Sequence, residues 1–231
     1  MEAIILAGGL GTRLEHLTKV APKSMVLING RPFLEYLLNY LMKQDVSKVI
    51  LAVGYKYEII KNYFKNKYQS LKIEYSVETK RLGTGGAIKL SLEKTNEKEI
   101  FVINGDTLFD VNLQKMLDFH IVHQSELTIA AKFMENFDRY GKISTCENRI
   151  IDFEEKKYNI NGYINGGIYI INRNFFNDLK LNSVFSLETD IMEKYVNNKK
   201  MYSYKNSGRF IDIGTLQSYK MAVKNFLKAK K

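Results

Sequence analysis

In 231 residues the sequence has one cysteine, two prolines, three histidines and no tryptophan. Cys146 alone cannot close an internal disulfide, and there is no thiolate cluster for a structural zinc, so a reducing, cytoplasmic setting is expected. Two prolines leave no Pro-rich linker, and no low-complexity segment or internal repeat interrupts the chain. No apolar run approaches the roughly 18 residues that would span a membrane. The opening MEAIILAGGLGTRL has only about five apolar residues before its glycines and no basic n-region, so it does not read as a signal peptide. The three histidines stand apart. His16 reads as loop surface, and His120 and His123 as ordinary helix residues; none is expected to act as a general base.

What the chain has in excess is lysine. Lys and Arg number 35 against 25 Asp and Glu, a formal net charge of +10. That balance suits an anionic partner: nucleic acid, a membrane surface or phosphorylated small molecules. It also follows from a composition rich in Lys, Asn, Ile, Tyr and Phe. The lysines are scattered, with short clusters at Lys156-Lys157, Lys199-Lys200 and the tail, and no basic stripe interleaves with aromatics. Neither a nucleic-acid nor a membrane partner is therefore expected. The 45% hydrophobic and 26% charged content is that of a globular protein, with length enough for a sizeable core.

The first 130 residues alternate short apolar runs with helical patterns. Glu2 to Ala7 reads as a buried strand closed by Gly8-Gly9, and Met25 to Ile28 as a short second strand. Pro32 suits the first position of a helix that carries Phe33, Leu34, Leu37, Leu38 and Leu41 at helical spacing. Strands follow at 48–53, 73–77 and 100–103, with helices near 59–64, 84–93 and 113–120. Such units predict a mostly parallel α/β sheet with helices on both faces. From residue 126 the texture changes. Strands are expected at 127–134, 142–145, 150–153, 163–171, 201–204 and 210–213, and helices at 187–196 and 215–227. One domain over 1–231 is expected, its second half adding β-structure over one edge.

The first strand runs directly into Leu6-Ala7-Gly8-Gly9-Leu10-Gly11-Thr12-Arg13-Leu14. Glycines after the first strand of an α/β sheet let backbone N–H groups approach phosphate oxygens with no Cβ in the way. The loop is not G-x-G-x-x-G, since Leu14 occupies the third glycine position, and no Gly-Lys-[Ser/Thr] triplet makes a Walker loop. Ten residues beyond Arg13 stands Pro22-Lys23-Ser24-Met25. A forked Arg and a point-charge Lys together suit a polyphosphate.

LAGGLGTRL followed by PKSMVLINGRPFLEYLL closely resembles the sugar-phosphate nucleotidyltransferases, the nucleotide-sugar pyrophosphorylases. The resemblance implies a Rossmann-like, GT-A-like fold. It also implies a nucleoside triphosphate held by Leu6, Ala7, Gly8, Gly9, Gly11, Thr12 and Arg13, with Lys23 stabilising the transferring phosphoryl group. Downstream, Glu78-Thr79-Lys80-Arg81-Leu82-Gly83-Thr84-Gly85-Gly86 resembles the family's base-recognising segment, most like its mannose- and heptose-1-phosphate branches. There Glu78, Gly83 and Thr84 would contact the base. A carboxylate at Glu78 can accept from both N1–H and the exocyclic amine of guanine; Glu78 equally suits a surface strand end.

Asn104-Gly105-Asp106 closes a strand, where carboxylates of a parallel sheet face the ligand crevice. Gly105 permits close approach, and Asp106 suits Mg²⁺, a hard cation that prefers oxygen. Phe210-Ile211-Asp212-Ile213-Gly214-Thr215 matches the family's late Asp-x-Gly-Thr motif, and by the resemblance Asp106 and Asp212 share the metal. On its own, Asp212 also suits the N-terminal dipole of the last helix. Glu154-Glu155-Lys156 resembles the Glu-Lys element that binds the sugar hydroxyls and phosphate, and Asn165-Gly166-Gly167 the segment lying against the sugar. Ser186 to Asp190 also fits the family and reads as a helix cap.

The reaction implied is attack by a sugar 1-phosphate oxygen on the α-phosphorus of a nucleoside triphosphate, with release of pyrophosphate. Residues 1–125 would form the nucleotide-binding half and 126–231 the sugar-phosphate half. GTP and D-glycero-α-D-manno-heptose 1-phosphate are the favoured substrates. Mannose 1-phosphate, or UTP or dTTP as donor, are alternatives, and an inactive nucleotide-binding protein is the non-enzymatic one. Arg13, Lys23, Asp106 and Asp212 are the expected catalytic set.

Overall fold

The structure of the protein is a computed structural model that describes residues 1–9, 11, 14, 18 and 21–228. Strand β1 (Glu2–Leu6) is followed, after the glycine-rich segment, by a 3₁₀ turn at Lys23–Met25, and then by the small pair β2 (Leu27–Ile28) and β3 (Arg31–Pro32). The strand expected from Met25 is shorter than its apolar run because Met25 N–H bonds back to the Pro22 carbonyl at 2.9 Å. Pro32 caps helix α1 (Phe33–Met42) from outside with ψ 141°; it does not form the first helical residue.

The chain continues through β4 (Lys48–Val53), α2 (Tyr57–Phe64), β5 (Lys67–Tyr68), β6 (Leu71–Val77) and α3 (Gly83–Leu92). Then come β7 (Glu99–Asn104), β8 (Thr107–Phe109) and α4 (Leu113–Val122). The second half supplies β9 (Leu127–Phe137), β10 (Lys142–Cys146), β11 (Arg149–Glu154), β12 (Asn159–Asn172), β13 (Met201–Lys205), β14 (Phe210–Asp212) and α5 (Leu216–Lys228).

Ten strands form one mixed sheet in the order β10-β11-β13-β9-β12-β7-β1-β4-β6-β5. The parallel part of the first half is β7-β1-β4-β6. In the second half β12 runs antiparallel to both β7 and β9, and only β13 lies parallel to its neighbour β9. The difference follows from connection length. Helical crossovers can return a strand in the same direction, whereas the short turns between β9, β10, β11 and β12 cannot.

Alternation along the central strands feeds two cores. Ala3, Ile5, Val49, Leu51, Phe101 and Ile103 pack under α1, α2, α4 and α5. Ile4, Ile50, Ala52 and Val102 face α3 and the segment Leu187–Met192 on the other side. Helices on both faces are thus explained by strands that bury both sets of side chains. The helix expected at 187–196 is a π-helix over Leu187–Met192 that runs into one α turn, Glu193–Tyr195. No helix among the described residues is long and apolar enough to cross a membrane.

The chain moves from β1 outward to β4 and β6, then crosses back to place β7 on the opposite side of β1. Beyond the carboxyl ends of these strands such a reversal opens a crevice.

Candidate active site at the carboxyl ends of the sheet

Four strand ends converge on the crevice. Ala7 N–H donates to the Ala52 carbonyl at 2.8 Å, and Gly105 N–H to the Leu6 carbonyl at 3.0 Å, so the end of β1 is tied to β4 on one side and to the loop after β7 on the other. At Gly105 any Cβ would lie 2.5 Å from the Leu6 oxygen, which is why glycine stands there. A Cβ on Gly8 would meet the Glu78 carboxylate at 2.8 Å, whereas one on Gly9 would meet nothing within 4 Å among the described residues. Gly9 therefore offers bare backbone to the cleft. Thr12, Arg13 and His16 lie outside the described residues.

Lys23 forms an ion pair with Asp106, whose other oxygen accepts from Thr107 Oγ1 at 3.1 Å. Burial works to raise the Asp106 carboxyl, but the Lys23 charge and the hydrogen bonds from Lys23 and Thr107 outweigh it and hold it below the ordinary range.

Asp212 lies some hundred residues further along, and β8 and β14 bring it back. Asp212 stands opposite Thr107 in that antiparallel pair, and Ile213 N–H donates to the Asp106 carbonyl at 3.0 Å. The Asp212 carboxylate receives Arg139 Nη2 at 2.5 Å and Tyr140 Oη at 3.0 Å on Oδ2, and Gly214 N–H at 2.7 Å on Oδ1. Burial and the neighbouring Asp212 charge push the Tyr140 hydroxyl well above its ordinary value, so it donates.

Together these groups line a cleft of about 620 Å³. It holds Leu6, Ala7, Gly8, Gly9, Gly11, Lys23, Glu78, Gly83, Thr84, Gly105, Asp106, Lys156 and Asp212 of the residues singled out in the sequence.

Other expected residues have different work. The Glu78 Oε2 atom accepts Leu82 N–H at 3.0 Å and so fixes the loop before α3. The N-terminal N–H groups of α3 at Gly85 and Gly86 donate to the Phe185 carbonyl at 3.1 and 3.3 Å, so they are not open to a phosphate. Asn165 spends both ends of its amide internally, on Tyr169 Oη at 2.9 Å and Gly167 N–H at 3.0 Å. Gly166 is buried, and a Cβ there would lie 2.6 Å from the Ala130 carbonyl oxygen and 2.7 Å from the Phe109 ring. Neither Asn165, Gly166 nor Glu155 lines the cleft; Glu155 pairs at 2.6 Å with Lys156, which does.

The motifs did not point to Arg139, Tyr140, Glu188, Arg81 or Asn104 as cleft residues, yet all five line it. Asn104 stood beside Gly105 and Asp106, Arg81 within the Glu78–Gly86 segment and Glu188 within the Ser186–Asp190 cap; Arg139 and Tyr140 arrive through strand pairing and loop packing that spacing does not reveal. His120 is no ordinary helix residue. It is 1% exposed, and its ring bonds Thr128 at 2.8 Å and Glu99 at 3.0 Å, tying α4 to β9 and β7.

The sequence profile of the Nucleotidyl transferase family matches residues 2–229. The chain belongs to the nucleotidyl transferase family. This nucleotidyl transferase is 48% identical, over 97% of its own length and 97% of its relative's, to D-glycero-alpha-D-manno-heptose 1-phosphate guanylyltransferase of Aneurinibacillus thermoaerophilus. It is 47% identical to the protein of the same name from Campylobacter jejuni, over 95% and 97% of the two chains. The crystal structure of HddC from Yersinia pseudotuberculosis complexed with GMP-PN superposes with a TM-score of 0.86 at 33% identity, covering 97% of this chain and 99% of that one.

No cluster of three or more His, Cys, Asp or Glu among the described residues could hold a metal, and of the four carboxylates that line the cleft Asp106 and Asp212 are brought together by the β8–β14 pair. Asp106 and Asp212 are hard oxygen donors on adjacent strand ends, and each is already matched to a positive charge. That donor set fits a divalent cation of the Mg²⁺ kind, which uses one or two carboxylates and completes its shell with water and substrate phosphates.

Proposed function

We propose that this nucleotidyl transferase moves GMP from GTP to D-glycero-α-D-manno-heptose 1-phosphate, releasing pyrophosphate and forming a nucleotide sugar. The observation that carries the reading is near full-length similarity to two heptose 1-phosphate guanylyltransferases in a chain whose cleft gathers Lys23, Asp106 and Asp212. The nucleophile is a phosphate monoester whose second pKa is about 6, so it is already ionised at neutral pH and needs no general base. Chemistry then reduces to aligning two mutually repelling phosphates and neutralising them.

In this reading Gly8, Gly9 and Gly11 receive the triphosphate with Thr12 and Arg13. Lys23 turns from Asp106 to the transferring phosphoryl group, and Lys156 receives the incoming sugar phosphate. Asp106 and Asp212 would hold Mg²⁺, which when bound supplies further charge neutralisation. The base lies towards Glu78, Gly83 and Thr84, where Glu78 Oε1 is left for a guanine edge while Oε2 keeps Leu82. The half 1–125 serves the nucleotide and the half 126–231 the sugar phosphate, across one shared sheet. A reducing, cytoplasmic setting suits the lone, exposed Cys146.

The test is pyrophosphate release with Mg²⁺, crossing GTP, ATP, CTP, UTP and dTTP with heptose, mannose and glucose 1-phosphates. Turnover confined to GTP with the heptose phosphate is expected. Turnover with UTP or dTTP instead would discard Glu78 as the reader of guanine, and a preference for mannose 1-phosphate would reassign the sugar.

A further inference from the structure

Arg139 is a cleft residue that neither the motifs nor the mechanism above employs. It sits in the turn after β9, with its guanidinium on Asp212 and its Cζ 5.5 Å from the centre of the Tyr140 ring. Its Nε–H is enclosed and has no acceptor among the described residues. A sequestered donor without a partner, on a side chain that lines a substrate cleft, marks a place where an acceptor is to be supplied.

Asp212 is the carboxylate that holds the guanidinium. A carboxylate offers about four lone-pair directions, and Arg139, Tyr140 and the Gly214 N–H already occupy three. Both Arg139 and Tyr140 crowd Oδ2, on which a cation would compete directly with the guanidinium. The register of the β10–β11 pair shows what else is near. Lys142 stands opposite Glu154, so Arg139 and Lys156 flank the same end of that ladder, and both line the cleft. A fork of N–H donors in the same cleft as a lysine, freed from its carboxylate, matches a phosphate monoester.

We propose that Arg139 is a positioning residue that alternates between two anions. In the empty cleft it neutralises Asp212. When a divalent cation takes Asp212 Oδ2, the guanidinium swings away and binds the phosphate of the sugar 1-phosphate, satisfying its Nε–H. This rests on the reading of Asp106 and Asp212 as metal-holding residues. The arrangement couples acceptor binding to metal binding, because the arginine is released only when its charge on Asp212 is replaced.

The test uses the full-length, ligand-free protein and Mn²⁺ as the probe, titrated against wild type, Arg139→Met, Arg139→Lys and Asp212→Asn, together with steady-state kinetics. Removing the competing cation should tighten Mn²⁺ binding by Arg139→Met about tenfold, while the KM for the sugar 1-phosphate rises about tenfold or more and that for GTP stays within about twofold. Arg139→Lys should fall between, and keeps the test in hand if the methionine variant does not fold. An arginine that merely props Asp212 would give weaker Mn²⁺ binding on removal, and that result, or unchanged binding, overturns the switch. An unchanged sugar-phosphate KM overturns its phosphate half. Asp212→Asn separates the two readings. Loss of Mn²⁺ affinity there keeps the metal assignment even if Arg139 fails, whereas wild-type affinity would remove both.

Discussion

At the scale of single residues, the cleft is organised around charges that are paired before any substrate arrives. Lys23 is 17% exposed and Asp106 31%, so the pair sits at the wall of the cleft within reach of water. Replacing Lys23 by Ala leaves Asp106 able to recover solvent, and the cost in stability should be only about 1 kcal/mol. Turnover is another matter. A preorganised cation aimed at a transferring phosphoryl group contributes on the order of 10²–10³ in kcat. Lys23→Ala should therefore lose that factor in pyrophosphate release while its thermal melt stays close to wild type. Near-normal turnover in folded Lys23→Ala would remove Lys23 from the reaction. Lys23, Asp106 and the glycines were legible in the sequence because each belongs to a local pattern whose chemistry is visible in a few consecutive residues. Arg139 and Tyr140 were not, because their role depends on which carboxylate the β8–β14 pair carries back to them.

At the scale of elements, the segment before and within the π-helix Leu187–Met192 is stitched to the start of α3. The Phe185 carbonyl accepts from Gly85 and Gly86, Phe185 N–H donates to the Leu82 carbonyl at 2.9 Å, and Leu187 N–H donates to Thr84 Oγ1 at 2.9 Å. Thr84 Oγ1 in turn donates to Glu188 Oε2 at 2.6 Å. Ser186 is the N-cap, accepting from Glu188 and Thr189 N–H at 3.1 and 3.3 Å and donating to Glu188 Oε2 at 2.8 Å. The capping role of Ser186 was readable from its position before an apolar-periodic run. The π geometry was not, since a widened turn keeps the same apolar spacing, and the contact of Glu188 with the cleft depends on Thr84 a hundred residues away. Ser186→Ala should cost about 1 kcal/mol, lowering the melting temperature by about 2–4 °C in a chain of this size. A double-mutant cycle with Thr84→Val should show coupling of about 0.5 kcal/mol or more, since both hydroxyls hold one carboxylate. Strict additivity would mean that the two contacts to Glu188 are independent.

At the scale of the whole molecule, the sheet separates chemistry from anchoring. Its parallel half was legible from the strand–helix alternation. The insertion of β12 between β7 and β9 was not, because period-two patterning fixes which face a strand buries and leaves its neighbours open. The carboxyl ends carry the cleft, and the amino ends carry a nearly buried ionic cluster. Glu2 accepts Asn96 N–H at 2.7 Å and Glu97 N–H at 3.3 Å, and Lys48 lies 3.5 Å from Glu2 and 3.3 Å from Glu74. Burial would raise the Glu2 carboxyl, but those backbone donors and the Lys48 charge outweigh it and leave it below its ordinary 4.5. A carboxyl lowered by folding adds stability that is complete above the unfolded value and is lost as pH falls through the folded one. Glu2→Gln keeps one acceptor but removes the charge that answers Lys48, so it should cost about 2 kcal/mol at neutral pH. Urea melts from about pH 6 to pH 3 should then show a shallower loss of stability in Glu2→Gln than in wild type. The variant should still turn over normally once folded, because the cluster lies at the end of the sheet away from the cleft. Equal slopes for the two proteins would mean that Glu2 titrates alike folded and unfolded, and that its charge adds nothing to the hold of Glu74 on Lys48.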